Sequence, residues 1–216
     1  DLRMSRGLGD VYKRQPMIRH ISARVDILRD GVRYGSLPFP QSSPPSVMAD
    51  SASAIKTSLA GVFLHTGEID YLNDELQPVL MIDGVETPIG VFVPGTVTTS
   101  SKGYGTDLDR VEAYDRGVKL QQAKTETLLH WSAGTKYLDA VKQLLVSAGI
   151  GMVMETPSAL TLATDREDWA IGTPYLTIIN ALLAEINYND IWFDARGTAV
   201  LQPRQEPSLS LIHISE

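Results

Sequence analysis

Apolar and polar residues alternate over Arg24–Leu28 (RVDIL), and an Asp30-Gly31 pair follows at once. A period of two marks a strand with one buried face, and Asp-Gly supplies the two positive-φ positions of a tight hairpin turn. Val32–Leu37 is the expected return strand. The arrangement recurs at Val79–Ile82, Asp83-Gly84 and Val85–Val93. Pro38–Ser46 (PFPQSSPPS) is expected to be a long surface loop, because proline brings no amide to a ladder. Ala54–Leu64 is a further strand candidate, with Gly61 at a bulge position. Thr96–Ser100 and Leu108–Tyr114 flank a Gly-rich loop, SSKGYGT. Short strands at this spacing predict a barrel or sandwich.

After Asp115 the period changes. Tyr137, Leu138, Val141, Leu144 and Leu145 form the apolar stripe of a helix, and Tyr175, Leu176, Ile179, Leu182 and Leu183 form another. Each helix is preceded by a Gly-Thr pair, Gly134-Thr135 and Gly172-Thr173. Threonine suits an N-cap, and Pro174 suits the first helical position, where its missing donor costs nothing. Aligning Gly134 with Gly172 superposes both stripes and sets Val153 on Ile191. Each helix should be followed by a short hairpin. The first runs from Gly151–Glu155 through Pro157-Ser158 to Ala159–Leu162, the second from Asp190–Asp194 through Arg196-Gly197 to Ala199–Leu201. The expected fold class is α+β. A β-barrel or sandwich-like tube domain spans 16–115, and a small α+β domain over 116–208 carries two helix plus β-hairpin repeats, 134–162 and 172–201. Two copies are too few for a solenoid.

The two ends of the chain differ in character from the rest. Ser5–Gln15 (SRGLGDVYKRQ) is one reading frame of a transposase-type library adapter. Leu209–Glu216 (LSLIHISE) is a frame of the reverse complement of the same adapter. Residues 1–15 are therefore set aside as adapter-derived or unassigned and 209–216 as adapter-derived, and the expectation is an internal fragment of a longer protein.

The chain carries a net charge of −7; its first fifteen residues contribute +2 and Glu216 contributes −1, which leaves −8 between the adapter-like ends. An acidic balance argues against a generic nucleic-acid or anionic-membrane surface, which relies on Lys and Arg. No apolar run approaches the length of a membrane span. The absence of cysteine removes thiol catalysis, disulfides and cysteine-ligated zinc.

The search for catalytic, cofactor or metal residues yields none that its surroundings favour. Asp165-Arg166-Glu167-Asp168 lacks calcium-loop spacing and reads as a solvated linker. Asp70, Asp74 and Glu75 are close enough in sequence for acid–base work, but an acidic turn before a strand explains them better. His20, His65 and His130 are isolated, and none sits in a HExxH pattern. No nucleophile elbow, phosphate loop or dinucleotide fingerprint is present. Gly103–Gly105 reads as a turn, with Lys102 and Tyr104 at a mobile tip. Trp131, Trp169, Trp192 and Phe193 suit core packing more than a sugar platform, because the adjacent Trp192 and Phe193 face opposite sides of a strand.

Three segments resemble a known family. Asn73-Asp74-Glu75-Leu76-Gln77-Pro78, followed by Pro88-Ile89-Gly90-Val91-Phe92, resembles the acidic turn, strand and return strand of bacteriophage tail hub (baseplate hub) proteins of siphophage type. Val111, Glu112, Ala113, Tyr114, Asp115 and Arg116 are similar to the motif that closes the first domain in that family. Leu182, Leu183, Ile186, Tyr188, Phe193, Asp194 and Gly197 match its later helix-plus-hairpin module. The resemblance covers most of 18–203. It implies a virion tail-tip structural protein, assembled in the bacterial host cytoplasm and non-enzymatic, with no cofactor. It further implies a homo-oligomeric ring, commonly a trimer, that joins the distal tail or tail tube protein to a fibre or spike and lets the tape measure and DNA pass. Two competing readings are the non-catalytic N-terminal part of a tail-associated peptidoglycan hydrolase, and a carbohydrate-binding module.

Overall fold

The computed structural model describes residues 19–101 and 107–205. Both adapter-like ends, Lys102 and the Gly103–Gly105 turn lie outside the described residues. The first half contributes β1 (Ile21–Arg29), β2 (Val32–Ser36), β3 (Ser46–Ala49), β4 (Thr57–Leu64), β5 (Glu75–Ile82), β6 (Val85–Pro88), β7 (Phe92–Ser101) and β8 (Asp107–Asp115). Both Asp-Gly turns form as expected: Asp30 and Gly31 have φ of 53° and 76°, and Asp83 and Gly84 have φ of 51° and 83°. Positive φ at both central residues gives the backbone twist that antiparallel strands need.

These strands make one eight-stranded antiparallel sheet in the order β2-β1-β5-β7-β8-β4-β3, with β6 paired to β5 beside the path. It is not a closed barrel. Leu37 N donates to Val25 O (2.7 Å), carrying the β1–β2 ladder one residue further, and Leu64 N donates to Pro38 O (2.8 Å), tying the next residue to the end of β4. The prolines at 38, 40, 44 and 45 have no amide with which to continue that bridge into a ladder. The sheet curls around Val25, Ile27, Leu37, Leu59, Phe63, Leu76, Phe92, Val111 and Ala113. On β8 the alternation is complete, with Asp109, Val111, Ala113 and Asp115 inward and Arg110 and Glu112 outward.

Gly61 pairs in register with Val111, so no bulge lies there; the register shifts fall at Ile27/Leu28 and Pro94/Thr96. The strand expected over Val85–Val93 breaks after Pro88 into β6 and β7.

The second half contributes α1 (Gly117–Gln122), α2 (Tyr137–Ser147), β9 (Val153–Glu155), α3 (Tyr175–Glu185), β10 (Trp192–Phe193) and β11 (Ala199–Leu201). The described residues are thus mostly β, with the helices packed beside a small mixed sheet. Both expected helices bury the expected stripe, with Leu138, Val141, Leu144 and Leu145 matched by Leu176, Ile179, Leu182 and Leu183. Their entries also match. Gly134 (φ 87°) and Gly172 (φ 90°) turn the chain, and an extended residue then makes an isolated bridge, Lys136 to Thr161 and Pro174 to Lys124.

Two local expectations fail. Lys136 and Pro174, not the threonines, occupy the cap positions, and neither helix has a side-chain cap bond. Thr173 instead donates its hydroxyl to Ala170 O (2.7 Å). The first hairpin does not form either. Ala159–Leu162 runs back to the helix entry, where Leu162 N donates to Thr135 O and Gly134 N to Leu162 O, both at 2.8 Å. The abandoned β9 pairs in parallel with β11, while β10 and β11 form the expected local hairpin. A second apolar cluster, from Leu120 to Leu201, fills the space between these helices and strands.

Candidate functional site: the junction between two cores

β8 delivers Asp115 and Arg116 to the boundary between the two apolar clusters. Asp115 Oδ1 accepts from Gly117 N (2.8 Å) and starts α1, while its Oδ2 accepts from Thr57 N (2.7 Å) on β4. Arg116 is 8% exposed. Its guanidinium grips Glu75 with a two-pronged contact, Nε to Oε1 at 3.0 Å and Nη2 to Oε2 at 2.6 Å. The remaining Nη1 donates to the Gly197 carbonyl (2.8 Å). Lys119 adds a contact to Glu75 Oε1 at 2.9 Å. Burial alone pushes the Glu75 carboxyl up, but hydrogen bonds from Arg116 and Lys119 outweigh it and hold the group below the usual range. A planar fork on a carboxylate is the geometry that best offsets desolvation of both charges.

Gly197 is required here twice over. Its φ is +74°, and a Cβ would lie 2.9 Å from Val91 Cβ and 3.0 Å from Arg116 Nη1. Asp194 shapes the turn that presents it, accepting from Arg196 N (2.9 Å) and Thr198 N (2.8 Å). Glu75, Arg116 and Gly197 come from three separate sequence motifs, and the fold brings all three to one node.

The acidic residues near Glu75 serve the same end of β5. Asp74 takes two hydrogen bonds from Arg29, both at 2.8 Å, and accepts from Asp70 N at 2.9 Å. Arg29 holds Asp74 below the ordinary carboxylate value, and the Asn73 amide does the same for Asp70. Carboxylates held ionised in this way are poor general acids. In 165–168 every acid is engaged: Asp165 accepts from Ala133 N, Glu167 from His130, and Asp168 from Arg166. Arg166 also forks onto Glu185 and lies over the Trp169 ring at 5.0 Å.

His20 is exposed. His65 belongs to a cluster that sequence reading missed. Asp109, fully buried on β8, accepts from Thr99 Oγ1 (2.7 Å) and Tyr71 OH (2.9 Å), and lies 2.9 Å from His65 Nδ1. Burial pushes Asp109 up, yet these partners together hold it low, and Asp109 in turn raises His65. Among the described residues no hydroxyl hydrogen-bonds the other ring nitrogen, so the arrangement lacks the nucleophile of a triad. Its members are scattered over four segments, and nothing in their spacing reveals the cluster.

Trp131 is buried and packs edge-on to Trp169, with ring centroids 5.6 Å apart. Phe193 turns into the core, and Trp192, on the opposite face, is half-buried beside a surface cleft. Among the described residues no buried side-chain nitrogen or oxygen lacks a partner. At the junction the buried polar side-chain atoms are thus satisfied within the chain.

Neither a protein-family profile nor a curated protein matches the sequence. Solved structures do match the fold. A tail protein from Neisseria meningitidis MC58 superposes with a TM-score of 0.58 at 16% identity, over 83% of this chain and 50% of its own. The 43 kDa tail protein of prophage MuSo2 from Shewanella oneidensis superposes with a TM-score of 0.57 at 11% identity, over 83% and 53%. The chain spans about half the length of each. Its fold is one it shares with phage tail proteins.

Proposed function

We propose that this chain is a structural part of a phage tail tip: a segment of a hub ring that links the tail tube to a fibre or spike. The observation that carries the reading is the shared fold with two tail proteins over 83% of the chain. The internally satisfied junction supports it, because a load-transmitting part needs its two halves held in fixed relation. Open sheet edges support it as well. β2, β3 and β6 are edge strands carrying exposed Val32, Tyr34, Met48 and Val85. Such edges offer backbone groups and apolar area to neighbours, and repeated heterologous contacts close into a ring when the rotation permits.

Within that ring the copies form a homo-oligomer, commonly a trimer, that contacts the distal tail or tail tube protein on one side and the fibre or spike on the other. An acidic chain captures few phosphates, which suits a passage for DNA. Mass photometry and negative-stain microscopy of the purified chain test the reading. Closed rings are expected; a monomer at every concentration, with no binding to a co-expressed tail tube protein, overturns it. A zymogram on bacterial cell walls tests the hydrolase alternative, and no clearing is expected.

A further inference from the structure

A cleft of about 420 Å³ opens where the β3–β4 turn meets the segments around β10 and after β11. Trp192, Asn189, Asp190 and Arg204 line one side, and Asp50 and Lys56 line the other. Its volume falls in the range of small-molecule sites, and it sets one aromatic side chain, Trp192, among polar and charged ones. None of its residues belongs to the ion-pair node between the cores.

The chemistry of the rim narrows the occupant. Lys56 Nζ is already spent on Ser53 O (2.7 Å), Ser51 O (3.0 Å) and Asp190 Oδ2 (3.4 Å). Arg204 is anchored by Nε to Tyr188 O (3.1 Å), and its terminal nitrogens have no protein partner among the described residues. Asp50 commits Oδ1 to Ala52 N (2.9 Å), and its second oxygen has no partner there. Asn189 makes one long contact, Nδ2 to Pro203 O at 3.4 Å, and its carbonyl oxygen makes none. Donors and acceptors are thus both on offer, and the two cations are balanced by Asp50 and Asp190. A phosphate or polyanion would meet two carboxylates. A purely apolar ligand would strand the Arg204 and Asp50 groups.

A saccharide satisfies every term. Its C–H face is apolar and stacks on an indole, and its hydroxyls both donate and accept, which planar carboxylate, amide and guanidinium groups match. We propose that this cleft binds a neutral saccharide of one or two rings, one ring stacked on Trp192 and its hydroxyls shared among Asp50, Asn189, Asp190 and Arg204. Phe193, the other aromatic of β10, is buried in the core and takes no part.

Titration calorimetry of the whole chain with three probes tests this: an N-acetylglucosamine trisaccharide, maltotriose and a sialylated trisaccharide. Saturable binding of a neutral probe, accompanied by quenching of tryptophan fluorescence, is expected. Trp192→Ala should abolish the quenching and weaken binding at least about tenfold. Arg204→Ala, at an exposed position, should weaken binding several-fold with an unchanged melting temperature. If Trp192→Ala fails to fold, Arg204→Ala and Asn189→Ala decide the matter. No binding of any probe up to about 10 mM overturns the proposal. Binding of the acidic probe alone, or parental affinity in both folded variants, overturns it too.

Discussion

Arg116 Nη1 donates to the carbonyl of Gly197 at 2.8 Å, across a sequence separation of 81 residues. The same guanidinium holds Glu75 on β5, 41 residues before it. One side chain therefore ties the curled sheet, the start of α1 and the β10–β11 turn to a common point.

Removing that side chain leaves Glu75 buried with only Lys119 beside it. Arg116→Ala should destabilise the chain by about 3–5 kcal/mol, the cost of breaking a buried pair from one side. Arg116→Lys should recover part of this and no more, because an ammonium cannot grip Glu75 and Gly197 together. Chemical denaturation measures both. An Arg116→Ala loss below about 1 kcal/mol would reduce the node to a surface ion pair.

Gly197→Ala asks a left-handed backbone and a crowded site to accept a methyl group. A loss of more than about 1 kcal/mol is expected, since the φ penalty is compounded by contacts near 3 Å with Val91 and Arg116. Gly149→Ala is the control. Its φ is 77°, with no atom within 4 Å of the added Cβ, so only the backbone term applies. Equal losses at the two positions would show that Arg116 does not press on Gly197.

The His65–Asp109 pair makes stability depend on pH in a defined direction. Asp109 raises His65 in the folded chain, so the protonated ring stabilises it. That contribution is complete below the ordinary histidine value of 6.5 and vanishes as pH rises through the raised value. Proton NMR should place the His65 midpoint above 6.5, and Asp109→Asn should lower it. The stability gap between the parent and His65→Gln should be wider near about pH 5.5 than near about pH 8.5. A gap that widens at alkaline pH would refute the pairing.

Native-state hydrogen exchange tests the parallel ladder. Thr156 N donates to Leu201 O and Ala199 N to Met152 O, both at 2.9 Å. The two amides should be protected to a similar degree and should lose protection together on destabilisation. A fast-exchanging Thr156 beside a slow Ala199 would mean that β9 is not held by β11.

The elements that sequence reading captures are those set by neighbours in the chain. Asp30-Gly31 and Asp83-Gly84 dictate their hairpins because the required φ values are local, and both helix stripes follow from spacing alone. What it misses is decided at long range. Threonines 135 and 173 look like caps, but the strand-like bridges just before each helix shift the start by one residue. The hairpin expected after β9 fails because Ala159–Leu162 finds a better partner at the helix entry. Between β2 and β3 the prolines at 38, 40, 44 and 45 interrupt the run of amides that a closing ladder would need. Of the site, Glu75, Arg116 and Gly197 were each legible as members of a motif. Their convergence was not, since no spacing rule joins residues 41 and 81 positions apart.

The parallel pairing of β9 with β11 also bears on how the chain is made. At the moment α2 and β9 leave the ribosome, the strand that completes them has not been synthesised. The earlier unit must wait with one edge bare until Ala199–Leu201 emerges, so it cannot mature ahead of the later one. Loss of Ala199–Leu201 would strip β9 of its only strand partner among the described residues as well as breaking the later hairpin, and the sequence likeness of the two repeats conceals this dependence of the first on the second.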